Sequence, residues 1–170
     1  MVTIALPGGA GGDLEGIFVA GAADSNRGAV VAPPHPLFGG SIESPVLNEI
    51  AYACSKTGIA SLRFNWRGVG ASTGVPSGDA ADAEADYRAA LTHMGETVDG
   101  PIVGCGYSFG AAAAVCAALD DPRVDRLVLV APPPAMLPAG AFEELARPAL
   151  VLVGECDSLV EPERLRELTE

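Results

Sequence analysis

The sequence predicts an α/β protein built on a mostly parallel sheet with helices on both faces. Three observations carry this. Short apolar runs rich in β-branched residues alternate along the chain with longer segments of helical periodicity. Five of the runs, 29–33 (AVVAP), 59–64 (IASLRF), 101–105 (PIVGC), 126–131 (RLVLVA) and 149–153 (ALVLV), are almost continuously apolar, as strands covered on both faces are. The chain has 170 residues, 49% of them hydrophobic, which suits one core and one domain spanning 1–170.

The elements follow in order. Residues 2–6 and 14–20 (LEGIFVA) flank the Gly-rich stretch GGAGGD and read as an antiparallel hairpin at the edge of the sheet. After the run 29–33, Ser44 stands at a helix N-cap with Pro45 at the first position. Leu47, Ile50, Ala51 and Cys54 then make an apolar stripe, and Gly58 ends it. After the run 59–64, Asp79 opens a helix whose Ala83, Tyr87, Leu91 and Met94 share one face. Its Asp82, Glu84 and Asp86 lie near the N-terminal end, where the helix dipole favours negative charge, and Gly95 closes it. Residues 109–119 (FGAAAAVCAAL) are apolar all round, the pattern of a helix pressed against a sheet. A last helix begins near Pro162, with Leu165 and Leu168 facing inward.

Composition excludes several functions. With 22 acidic against 10 basic side chains, a net charge of −12 and a single lysine (Lys56), the chain lacks the clustered cations that a phosphate backbone needs, so nucleic acid is not expected as a partner. No apolar run approaches the roughly 20 residues that span a bilayer. The N-terminus MVTIALPGG has neither a basic n-region nor a long apolar h-region, so no membrane association and a cytoplasmic location are expected. Cys54, Cys105, Cys116 and Cys156 are scattered, without C-x-x-C pairing or an adjacent His, and read as small, mostly buried thiols. Neither a metal nor an organic cofactor is implied.

The chemistry concentrates at residues 104–110, GCGYSFG. Gly106, Ser108 and Gly110 form G-x-S-x-G directly after an apolar run and directly before a helix. A strand-to-helix turn of this kind forces the serine into a strained, exposed position, and glycines on both flanks permit it. The backbone N–H of Phe109 then points with the helix dipole at a developing oxyanion, and Tyr107 lies beside it as a pocket residue. The competing reading is a Gly/Ser turn that merely opens an Ala-rich helix. A second oxyanion donor is expected from the loop 32–40, APPHPLFGG, where Leu37 is the candidate because Pro36 has no N–H to offer.

The segments HPLFGGS (35–41), FNWRGVGAS (64–72), GYSFGA (106–111) and GECDSLVEP (154–162) together resemble the small, lidless bacterial α/β-hydrolases, a group near the dienelactone-hydrolase-like enzymes. The resemblance covers nearly the whole chain. The first motif of that family usually begins His-Pro-His-Pro, whereas only His35 is kept here. The resemblance implies the α/β-hydrolase fold and a triad in the order Ser, acid, His, with Asp157 at the acid position and Glu155 as its neighbouring competitor. Residues 158–170 contain no His. Of the two His present, His93 closes a helix that runs back to the far edge of the sheet. His35 follows a strand and reaches the same edge as Ser108, where it is expected to shape the loop or line the pocket rather than serve as the base. The expectation is therefore a chain whose C-terminal end and last strand are missing, with a catalytic His roughly 30 to 45 residues further on, at usual element lengths. Asn65, Arg67, Gly68, Gly70 and Ser72 do not have phosphate-loop spacing, and Arg67 is expected to tie neighbouring loops together by charge-assisted hydrogen bonds.

These readings lead to a serine hydrolase acting on a small ester or thioester through an acyl-enzyme. Its rival is a non-catalytic ligand-binding or interaction module on the same fold. Substrate identity, transfer to an acceptor other than water and oligomeric state stay open at this stage.

Overall fold

The computed structural model of the protein describes residues 1–6, 12–157 and 159–169. Seven strands form one sheet: β1 Val2–Ala5, β2 Asp13–Val19, β3 Gly28–Ala32, β4 Ala60–Phe64, β5 Ile102–Tyr107, β6 Val124–Val130 and β7 Ala149–Leu152. Side by side they run β1-β2-β4-β3-β5-β6-β7. β1 and β2 pair antiparallel, Val2 opposite Gly16 and Ala5 opposite Asp13, and β2 continues antiparallel onto β4. The remaining neighbours are all parallel. The Gly-rich turn of the hairpin falls largely on 7–11, outside the described residues.

Among the described residues there are five α-helices: α1 Pro45–Lys56, α2 Ala80–Gly95, α3 Phe109–Leu119, α4 Ala141–Leu145 and α5 Pro162–Thr169. α2 and α3 pack on one face, where Leu62, Phe64, Tyr87, Leu91, Val115 and Leu129 build the main core. α1 packs on the other face against Ala29, Val31, Val103 and Cys105 through Leu47 and Cys54. β3 is buried along its whole length, as its unbroken apolar run requires. Tyr87, at full burial, donates its hydroxyl to the carbonyls of Val30 and Cys105, so the ring that fills the core also leaves no polar atom stranded.

The run 149–153 departs from its expected burial. Leu150 and Leu152 are 54% and 47% exposed and face, with Ile50, Cys54, Val103 and Val128, an open apolar trough of about 770 Å³. The reason is geometric. α1 packs on β4, β3 and β5, and among the described residues no helix lies over β6 and β7 on that face. Continuous apolarity in a sequence records that both faces can be covered, not that they are.

Local differences have local causes. Ser44 occupies the N-cap of α1 without a side-chain hydrogen bond, whereas the Asp79 carboxylate accepts from the N–H groups of Ala81 at 2.8 Å and Asp82 at 3.4 Å. Asp86 serves a buried ion pair instead of the helix dipole. Cys54 and Cys105 are buried, and that burial pushes their thiols up, but Cys116 is half-buried and Cys156 stands exposed in the loop after β7. Two one-turn 3-10 helices, Pro36–Phe38 and Pro134–Met136, and α4 are too short to leave a periodic signal in the sequence. Met136, Leu137 and Phe142 are half-buried against the core, and Leu165 of α5 is buried with Ala131 and Val160.

Candidate active site

β3 is the point from which the sheet grows in both directions. The chain leaves β3 through α1 to reach β4 on one side, then crosses through α2 to β5 on the other. The loops after β3 and β5 therefore diverge to opposite faces and open a crevice at the C-terminal edge of the strands, the usual ligand position in such sheets. Ser108 stands on one bank of that crevice and His35, Leu37 and Phe38 on the other.

Ser108 links β5 directly to α3 with φ +53° and ψ −117°, a backbone conformation that side chains bearing a Cβ rarely adopt. Its N–H is held by the carbonyl of Val130 at 2.8 Å, and its carbonyl receives the N–H of Ala111 at 2.9 Å, while its hydroxyl makes no cap hydrogen bond. The flanking glycines are required by space. A Cβ on Gly106 would overlap the backbone of Gly110, and one on Gly110 would lie 2.5 Å from the carbonyl oxygens of both Ala32 and Pro33. The turn thus clamps α3 onto the ends of β3 and β5. Phe109 and Gly110 fall in the first turn of α3, where N–H groups have no carbonyl one turn earlier to bond.

The opposite bank is a rigid turn. Phe38 N–H donates to the His35 carbonyl at 3.1 Å, Gly39 N–H to Pro36 at 3.3 Å and Gly40 N–H to His35 at 3.0 Å. The Leu37 N–H is the one donor of this turn bonded to a side chain, His35 Nδ1, at 3.2 Å. Nδ1 is thus the acceptor in this turn. The Nε2 edge of the ring rests on Gly78, where an added Cβ would lie 2.8 Å from Nε2. The His35 ring also contacts Phe109 at 4.6 Å and Phe38 at 4.8 Å between centroids, which ties the two banks together. With Nδ1 engaged by the Leu37 N–H and the ring in contact with Phe38 and Phe109, His35 holds the turn. His93 lies in the last turn of α2, next to Met94, which packs on Gly28 at the start of β3 and so marks the opposite edge of the sheet.

The loop after β4 braces the turn from beneath. Trp66 Nε1 donates to the Pro34 carbonyl at 2.9 Å, and Asn65 Oδ1 accepts from the Ile42 N–H at 2.9 Å while its Nδ2 donates to Glu15 at 2.8 Å. Arg67 donates through its backbone N–H, Nε and Nη2 to Asp86, at 2.9, 3.0 and 2.7 Å, and also reaches Asp82. Asp86 is 1% exposed, and its carboxylate holds the Arg67 guanidinium above its ordinary value. Removing either partner strands the other, a loss of about 3 kcal/mol at a pair that keeps one side near solvent.

Asp157 stands in the loop after β7, at the same edge of the sheet as Ser108 but two strands across. Its Oδ1 accepts from the N–H groups of Leu159 at 2.9 Å and Val160 at 3.0 Å. Glu155 is exposed. Tyr107, the last residue of β5, is half-buried between Cys105 on one side and Ala131 and Val160 on the other. Among the described residues no cluster of three His, Cys, Asp or Glu side chains is arranged to hold a metal, and no helix is long and apolar enough to cross a membrane. Sequence reasoning missed Trp66 and Asn65 as braces and Asp86 as the partner of Arg67. Their proximity in sequence to the Arg-Gly turn, and the i, i+4 spacing of Asp82 and Asp86, were the available signals.

A parallel sheet extended by an antiparallel hairpin, with a serine in the turn from β5 into α3, is the α/β-hydrolase fold. The chain belongs to the Hydrolase_4 family, serine aminopeptidase S33, whose profile matches residues 37–141. It is similar to an α/β serine hydrolase homologue from Coxiella burnetii, with TM-score 0.83, 29% identity and coverage of 97% of this chain and 79% of that one. It is also similar to an α/β serine hydrolase without lid from Xanthomonas campestris, with TM-score 0.80, 27% identity and coverage of 98% and 75%. Among curated proteins, a thiohydrolase of Arthrinium phaeospermum is 35% identical over 129 residues, which is 71% of this chain but 41% of that protein's length.

Proposed function

We propose that the protein is a serine hydrolase of small esters or thioesters, with Ser108 as the nucleophile. The observation that carries this reading is the backbone of Ser108 at φ +53°, ψ −117°, held at the N-terminus of α3 beside the Leu37 turn. Conformations of this kind cost about 1–3 kcal/mol and persist where the surrounding structure imposes them. Such a turn is a nucleophile elbow. Ser108 Oγ attacks the carbonyl carbon, and the negative charge that develops on the carbonyl oxygen is met by the Phe109 N–H and the positive end of the α3 dipole.

Leu37 supplies the second donor. In the resting protein its N–H serves His35 Nδ1 across 3.2 Å, the long end of the range for such a bond. An oxyanion is the stronger acceptor, because hydrogen bonds to a charged oxygen are roughly twice as strong as neutral ones. Asp157 is the acid of the triad. Its Oδ1 is fixed by Leu159 and Val160, which leaves Oδ2 to orient the imidazole that takes the Ser108 proton. Neither His35 nor His93 is assigned that task in this reading, and the base is an imidazole that these 170 residues do not supply. Collapse of the intermediate expels an alcohol or thiol and leaves an acyl-Ser108, which water then hydrolyses.

Thioesters enter the reading through the Arthrinium thiohydrolase, and small substrates through the open, lidless crevice. A substrate panel tests it. The natural full-length protein is expected to hydrolyse p-nitrophenyl acetate and phenyl thioacetate but not leucine p-nitroanilide. Turnover of the anilide alone would replace the reading with an aminopeptidase, and turnover of none of the three in folded protein would favour the non-catalytic module.

A further inference from the structure

Among the described residues nine large apolar side chains are exposed, and they are not spread evenly. Leu37 (59%), Phe38 (87%), Val75 (77%) and Leu159 (88%) stand on the loops that follow β3, β4 and β7. These loops share the C-terminal edge of the sheet with Ser108. The 75–78 segment approaches the 3-10 turn directly: a Cβ on Gly78 would lie 3.5 Å from Leu37 Cδ1. Exposed apolar side chains scattered singly need no explanation, but two adjacent ones, Leu37 and Phe38, on one bank of the Ser108 crevice do.

Phe38 is also firmly mounted. Its turn is closed by three backbone hydrogen bonds and starts at Pro36. Its ring lies against His35, and ring contacts continue from His35 to Phe109 and from Phe109 to the buried Trp66 at 5.6 Å. A side chain left in water on so rigid a base is preorganised, so a ligand that covers it loses little conformational freedom from the protein side. The loop 32–40 carries no Asp, Glu, Lys or Arg, Asp79 beyond it is turned to cap α2, and Arg67 is held by Asp82 and Asp86.

We infer that Leu37 and Phe38 form an apolar seat for the acyl group of the substrate, so that the protein selects uncharged acyl groups with an extended hydrocarbon chain over acetyl. The inference rests on Ser108 being the reacting group, because the seat gains its meaning from lying beside that serine. Phe38 is thereby a specificity-determining residue that takes no part in the bond-making step.

Binding of methyl ketones to the Ser108→Ala variant tests it without any reaction at the serine. Ketones reproduce the acyl carbonyl and lack a leaving group, so the outcome is independent of whether Ser108 is catalytic. Affinities of butan-2-one and octan-2-one are read from shifts of assigned backbone amide signals. Four additional methylenes covered on one side predict at least a tenfold tighter Kd for octan-2-one. The largest shifts are expected at Leu37, Phe38 and Gly39, and the ratio is expected to fall to about twofold when Phe38→Ser is added. Phe38 is exposed, so its replacement leaves the core intact. Equal affinities, absence of binding, a ratio unmoved by Phe38→Ser, or shifts confined to the trough beside Ile50 and Leu150 would each overturn the inference.

Discussion

Ser108→Gly is expected to abolish ester hydrolysis and at the same time raise the melting temperature by about 2–4 °C. The two effects have one origin. At φ +53° and ψ −117° the Ser108 Cβ is in steric conflict with the backbone, at a cost of about 1–3 kcal/mol. Glycine removes that conflict and adds back roughly 0.5–1 kcal/mol of backbone entropy, for a net gain near 1 kcal/mol. In a chain of this size that gain moves the transition by a few degrees. The hydroxyl forms no cap hydrogen bond, so its removal costs no native contact of that kind. Loss of a nucleophile acting in a triad lowers kcat by roughly 10⁴–10⁶-fold. Ser108→Ala isolates the chemistry, since it keeps the Cβ and hence the strain, and it is expected to lose the same activity with an unchanged melting temperature. A lower melting temperature for Ser108→Gly than for the wild type would show that the turn is not strained. Thermal melts and initial rates on the same preparations decide the matter.

Gly110→Ala is expected to be among the more damaging single methyl additions in the molecule. The added carbon would lie 2.5 Å from the carbonyl oxygens of Ala32 and Pro33, which are backbone atoms at the end of β3 and cannot turn aside as a side chain would. Relief requires α3 to move away from the sheet by about 1 Å. Forced repacking of this kind costs about 1–3 kcal/mol, and the rigid backbone on both sides places this case at the upper end. The expected result is a melting temperature lower by about 6–10 °C. Because Phe109 N–H moves with the helix, a fall in kcat exceeding the change in KM should accompany it. Gly39→Ala provides the contrast. Gly39 has φ +81° but nothing within 4 Å of an added Cβ, so only the conformational penalty of about 1 kcal/mol applies. A Gly110→Ala protein that melts within 2 °C of the wild type would contradict the clamp between α3 and β3.

The parts of the fold legible in the sequence are those where a single physical requirement dominates several consecutive residues. The runs at 29–33, 59–64 and 101–105 are apolar because both faces of those strands are covered, and the Ala-rich α3 is apolar all round because it lies against the sheet and against α2. The covering of β7 was not legible, because apolarity in 149–153 states what the strand needs and not what stands over it. The strand-to-helix turn at Ser108 was legible because glycines at 106 and 110 are demanded by backbone approach, which leaves a mark in sequence. The bracing of the opposite bank was not. Trp66, Asn65 and Asp86 meet their partners across 32, 23 and 19 positions, and neither closeness to the Arg-Gly turn nor the i, i+4 spacing of Asp82 and Asp86 names those partners. The engagement of the Leu37 N–H by His35 also escaped, since a histidine two residues before a donor carries no signature of which nitrogen will face it.

The central claim is that acyl groups pass through Ser108. Its most direct test is to mix the natural full-length protein with p-nitrophenyl acetate, quench in acid within the first turnovers, and map the digest by mass spectrometry. An acetyl group on the peptide containing Ser108, absent from the Ser108→Ala protein, is the predicted result. Release of p-nitrophenol at the same rate from both proteins, with Ser108 unmodified throughout, would contradict it.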